Sequence, residues 1–178
     1  MGVDKNVQLI DEAKKKYGSL PEEHVQFRVR NFDSDFSKMD GSFHWVFAIY
    51  SIYYTEDSLK TVQAVKSRLM PGGSFVVIGP GPENAKDLAE FNHSLTGKSP
   101  NREYFERIER IAKEFHPLFG RVFGQGQVAY EEIDSVMEFP TAEDYAEYYW
   151  STMLWREGVE GRSESEIEIL KEKTLKML

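Results

Sequence analysis

The stretch from Phe43 to Ile78, FHWVFAIYSIYYTEDSLKTVQAVKSRLMPGGSFVVI, decides the fold class. Its opening, His44 to Ile52, is nearly continuous in apolar, aromatic and β-branched residues, the pattern of a central strand covered on both faces by helices. Thr55-Glu-Asp57 then supplies a cap and acids. Behind it Leu59, Val62, Val65 and Leu69 recur at helical spacing, with Lys66 and Arg68 in the last turn, where cations meet the negative end of the helix dipole. Met70-Pro-Gly-Gly73 is expected to end that helix, and Ser74 to Ile78 to form a short buried strand before the turn Gly79-Pro-Gly-Pro82. Strand, helix, strand in this order implies a parallel pair, because a parallel strand needs a crossover.

The same alternation extends toward the N-terminus. Val25, Phe27 and Val29 alternate with polar residues, predicting a strand, and Asn31 to Asp35 breaks it. Val7, Ile10, Ala13 and Tyr17 share one helical face between a capping Asn6 and a stop at Gly18. Gly2-Val-Asp4 reads as the last residues of a buried strand with a carboxylate at its tip.

Beyond Glu83 helices dominate. They are expected over Ala85 to Leu95, after Ser99-Pro100 along the stripe Tyr104, Phe105, Ile108, Ile111, Ala112 and Phe115, from Thr141, and after the capping box Ser163-x-x-Glu166. Arg121 to Gln127 reads as a glycine-interrupted turn, and Glu132 to Glu138 as a strand. The expected organisation is a core over 1–82, a helical cap or insertion over 83–130, and a strand and helices over 131–178 completing the same domain.

Composition removes several function classes. The chain of 178 residues is 40% hydrophobic, enough for a real core, and its net charge of −8 is unsuited to a non-specific nucleic-acid surface. It contains no cysteine, which excludes disulfides, thiolate catalysis and zinc-thiolate sites. No apolar run reaches the roughly 20 residues of a membrane-spanning helix, and residues 1–20 have no signal-like apolar core. The expectation is a cytoplasmic protein acting on a small molecule, with no nucleic-acid or membrane partner.

Taken in order, Gly2-Val-Asp4, Val25-x-Phe27 leading to Asn31-Phe-Asp33, Gly41-Ser-Phe43 leading into a hydrophobic strand, and Leu69-x-Pro-Gly-Gly73 resemble the class I S-adenosylmethionine-dependent methyltransferases. The resemblance covers residues 1 to about 80, with a looser likeness over Val136 to Trp155. It implies an α/β, Rossmann-like, mostly parallel sheet flanked by helices, and S-adenosyl-L-methionine as cofactor. Asp4 would bind the ribose hydroxyls, and Asn31, Phe32 and Asp33 would lie beside the adenine. Ala48 and Tyr50 would line the methionine end, with Tyr53, Tyr54 and Tyr149 toward the substrate. The family commonly has Asp where Asn31 and His44 stand here; Asn still accepts a hydrogen bond from the adenine amine.

The family's glycine-rich turn would lie upstream of Gly2, and the chain has no such element in any order. The expectation is therefore an N-terminally truncated form with impaired cofactor binding; the alternative is a non-catalytic module of the same fold, used for binding or oligomerisation. Sheet edges left open by a lost strand recruit other chains, so homodimerisation or strand exchange is expected. His93 and His116 are the candidate bases, although each reads more readily as a surface or packing histidine. Tyr145, Tyr148, Tyr149, Trp150 and Trp155 form either a lid over a planar substrate or a packing face.

Overall fold

A computed structural model describes residues 1–21, 25–31, 33, 41–99 and 102–178. The architecture is mixed α/β, with two small sheets of parallel strands, and the chain divides into two compact units. The first unit comprises 1–79 and 113–129, the second 80–112 and 130–178.

In the first unit, β1 (Gly2–Asp4) runs into α1 (Val7–Tyr17), which returns to β2 (Phe27–Val29). Asn6 starts the helix by accepting hydrogen bonds from the amides of Gln8 and Leu9, which satisfies donors that the first turn leaves without an intrahelical partner. β1 and β2 pair in parallel, Val3 opposite Arg28 and Asp4 opposite Val29. The second βαβ element is β3 (Phe43–Ile49), a 3-10 turn (Ile52–Tyr54), α2 (Ser58–Arg68) and β4 (Leu69–Ile78). Asp57 caps α2 through the Lys60 amide, and β3 pairs in parallel with β4, Phe47 opposite Val76 and Ile49 opposite Ile78.

One face of this second ribbon is well covered. Val62 and Val65 on α2 are fully buried, and Val3, Phe43, Val46 and Phe75 pack around Val65. The ring of Phe119 stands edge-on to Phe75 at 5.7 Å, an arrangement favoured by the ring quadrupoles. Phe119 belongs to α5 (His116–Phe123), whose Leu118 is also buried. Because Val3 joins this cluster, the β1–β2 ribbon lies in the same core as β3–β4, although no ladder joins the two pairs among the described residues.

The second unit is helical: α3 (Lys86–Thr96), α4 (Arg102–Arg110), α6 (Ala142–Ser151), α7 (Met153–Val159) and α8 (Glu164–Met177). Leu95, Tyr149, Trp155 and Leu170 form its core. Polar ties fix the helix ends, with Lys98 Nζ donating to the carbonyls of Glu157 and Glu160 and Arg162 donating to the carbonyl of Thr96 at 2.6 Å. Thr141 caps α6, and Ser163 and Glu166 form the expected capping box on α8.

Five expectations need correction. Residues 132–138 form no strand; the whole segment from Val128 to Phe139 lacks regular structure, and a strand pattern without a ladder partner has nothing to satisfy its backbone. Arg121 to Phe123 complete α5 rather than a turn. Pro71-Gly72-Gly73 lies inside β4, which starts directly after α2. A Cβ on Gly73 would sit 2.9 Å from the carbonyl oxygens of Met70 and Phe43, so the bulge between Phe43 and Trp45 needs glycine opposite it. β3 is covered on one face only, since Trp45, Phe47 and Ile49 on the other remain 59%, 57% and 57% exposed. The apolar stripe expected as one helix from Tyr104 to Phe115 changes at Ile111 into a five-residue π-helical stretch; Pro100 lies outside the described residues.

Candidate functional site

Parallel strands bring their carboxyl ends to one edge, and loops leaving that edge are where α/β proteins place ligands. Asp4 ends β1. Its Oδ1 accepts the Asn6 amide at 2.7 Å, so the residue that caps α1 also orients the carboxylate. The neighbouring ladder continues past the strand, with the Arg30 amide donating to the Asp4 carbonyl at 2.9 Å.

Asn31 and Asp33 follow β2. The Asp33 amide donates to Asn31 Oδ1 at 3.0 Å, a local turn that pre-shapes the loop. Asp33 Oδ1 accepts two bonds from the segment after β3, one from Thr55 Oγ1 and one from the Glu56 amide at 3.0 Å. Thr55 is buried and meets Thr61 Oγ1 at 2.8 Å. This link across 22 positions holds the tips of β2 and β3 at one edge. Sequence reasoning missed Thr55 as a positioning residue; its signal was a threonine just before the Asp57 cap.

The turn after β3 carries the tyrosines. Tyr50 has φ of 48°, a left-handed conformation rare for a bulky side chain, while its amide still donates to the Ile78 carbonyl at 2.8 Å. Such backbone strain recurs at binding sites because the surrounding structure must hold it in place. The ring of Tyr50 is exposed. Ile52 and Tyr53 are buried and anchor the 3-10 turn, whereas Tyr54 is exposed, its ring centroid 4.7 Å from that of Tyr53. Ala48 is buried within β3.

The structure thus gathers Asp4, Asn31, Asp33, Tyr50, Tyr53 and Tyr54 in the first unit; Phe32 lies outside the described residues. Tyr149 belongs to the second unit and is fully enclosed, its hydroxyl donating to Asn92 Oδ1 at 2.7 Å. Burial raises its pKa, since a phenolate would have to shed its water. Its ring stands edge-on to Phe91 and Trp155, which makes it a core residue. His93 is exposed on α3 with Nδ1 3.3 Å from Ser99 Oγ, and His116 is exposed at the start of α5.

A surface groove of about 570 Å³ lies elsewhere, between Leu59, Gln63, Lys66 and Ser67 of α2 and Arg121 and Val122 of α5. None of the gathered residues lines it. Among the described residues no three carboxylates or imidazoles come together in a way that could hold a metal ion, and no helix is long and apolar enough to cross a membrane. Compared with protein-family models, with curated proteins and with solved structures, the chain has no significant match.

Proposed function

We propose that the first unit is part of a Rossmann-like cofactor domain, and that the protein is an S-adenosylmethionine-dependent methyltransferase of a small molecule. The observation that carries this reading is the shared edge: a carboxylate at the tip of β1, the Asn31–Asp33 turn after β2, and tyrosines after β3, tied by Asp33 and Thr55. A carboxylate accepts two hydrogen bonds from vicinal ribose hydroxyls. Asn31 accepts from an adenine amine, and an aromatic face attracts a sulfonium by roughly 0.5–2 kcal/mol.

Methyl transfer asks mainly for alignment, because the sulfonium is already a strong electrophile. The chain's own residues would therefore hold the cofactor by its nucleoside and keep the methyl group in line with an acceptor. His116, in the same unit, stays a candidate base only for an acceptor that must lose a proton.

Calorimetric titration with S-adenosylhomocysteine tests the reading. Micromolar binding that is lost in Asp4→Ala supports it; binding that survives Asp4→Ala places the nucleoside elsewhere. No binding at all favours the second reading, a non-catalytic binding or oligomerisation module, which the uncovered Trp45, Phe47 and Ile49 face also suits.

A further inference from the structure

The groove between α2 and α5 lies wholly within the first unit and shares no lining residue with the strand edge. Its charge runs against that of the chain. Acids outnumber bases by 30 to 22 over the 178 residues, yet residues 58–82 and 115–130, which supply both walls, contain no Asp or Glu. Lys66 and Arg121 line the groove, and no carboxylate does. The Lys66 ammonium is held in place, donating to the Val122 carbonyl and lying 5.6 Å from the centroid of the Phe123 ring. Arg121 is exposed, and its guanidinium has no hydrogen-bond or ion-pair partner among the described residues. Both cations stand in the last turn of their helices, where each dipole places roughly half a negative charge. Two full positive charges exceed that sum, so the groove keeps a positive excess.

We propose that this groove binds the oxyanion of a small molecule, a phosphate monoester or carboxylate carried on an apolar body. Arg121 offers a planar fork of N–H donors that matches two oxygens of such a group. Lys66 is already pinned, so it adds a positive charge with little further ordering. The Gln63 side-chain amide supplies neutral donors, whereas Ser67 commits its hydroxyl proton to the Ala64 carbonyl at 2.8 Å. Leu59 and Val122 form the apolar part of the lining. Leu59 is 47% exposed, and a ligand's carbon skeleton would remove that surface from water. The volume of about 570 Å³ falls in the range of small-molecule sites. A nucleic-acid strand fits less well, because two cations neutralise too few phosphates in a chain of net charge −8. This inference does not rest on the methyltransferase reading.

Calorimetric titration at low ionic strength with phenyl phosphate, benzoate and phenol tests the site. One or both anions should bind and phenol should not, added salt should weaken the binding, and the tighter anion identifies the group. Arg121→Gln alters an exposed side chain with no internal partner, so circular dichroism should be unchanged while anion binding falls by at least about tenfold. Leu59→Ser should weaken phenyl phosphate and leave inorganic phosphate unaffected, which separates a shaped groove from a loose patch of charge. The proposal is overturned if neither anion binds, if phenol binds as tightly as the anions, if Arg121→Gln binds them like the wild type, or if Leu59→Ser leaves phenyl phosphate unchanged. S-adenosylhomocysteine binding is measured separately and should be the same in Arg121→Gln as in the wild type, so failure of the anion site leaves the functional reading standing.

Discussion

Asp33 and Thr55 share a hydrogen bond across 22 positions of sequence, and through it the loop after β2 is fixed to the loop after β3. The same carboxylate oxygen takes the Glu56 amide, and the same threonine hydroxyl reaches Thr61 in the buried layer beneath. A position read from the sequence as a nucleotide contact is thus also a structural clasp.

Removing the clasp has a measurable cost. Thr55→Val keeps the shape of the side chain but leaves Asp33 and the Thr61 hydroxyl without that partner, which should destabilise the chain by about 1–3 kcal/mol. Urea unfolding followed by tryptophan fluorescence checks this; an unchanged midpoint would show that the contact contributes nothing.

Tyr50 should trade stability against binding. Glycine at φ of 48° relieves a conformation that costs a bulky residue about 1–3 kcal/mol, and the exposed ring loses little packing. Tyr50→Gly is expected to melt at or above the wild-type temperature while weakening any S-adenosylhomocysteine binding. A variant that melts lower and binds normally would mark Tyr50 as structural.

Gly73 tests the bulged pairing of β3 and β4. A Cβ there meets three carbonyl oxygens within 3.1 Å, those of Met70, Phe43 and His44. Backbone cannot move aside as a flexible side chain does, so Gly73→Ala should cost about 1–3 kcal/mol. Gly72→Ala is strained for a different reason, its φ of 77°, with open space around it. If denaturation shows Gly73→Ala to be neutral, the close approach is not as described.

Alkaline pH should loosen the second unit. Burial holds the Tyr149 phenol neutral above its ordinary pKa of 10.0, with Tyr145 adding to the effect. The unfolded chain loses that proton first as pH rises. Stability from this group is therefore complete below about pH 10 and falls as pH climbs toward the raised folded value. Tyr149→Phe should cost about 1 kcal/mol near neutrality by stranding Asn92 Oδ1, and should flatten the decline above pH 10. An equally steep decline in the variant would assign the pH dependence to other groups.

Local rules made the helices legible. Asn6, Asp57, Thr141 and Ser163 each cap the helix that the sequence assigns to them or to their immediate neighbour, because a cap is satisfied by amides two or three residues away. The strands from Phe43 and toward Ile78 were legible as apolar runs, and their parallel pairing followed from the intervening helix. The segment 132–138 shows where local reading fails: Ile133 and Val136 are strand formers, but a strand exists only if another backbone answers it. The candidate site divides in the same way, since Asp4 at a strand tip was readable and the Asp33–Thr55 link was not.

Sequence alone determined the βαβ elements, the caps, the absence of thiol chemistry and the identity of the acid at the tip of β1. Tertiary structure decided which surfaces those elements cover. It left Trp45, Phe47 and Ile49 bare, buried Tyr149 against Asn92, and placed Pro71-Gly72-Gly73 inside a strand. The physical reason is range: propensity, capping and periodicity act over a few residues, whereas burial and ladder formation depend on a partner that the local sequence does not specify.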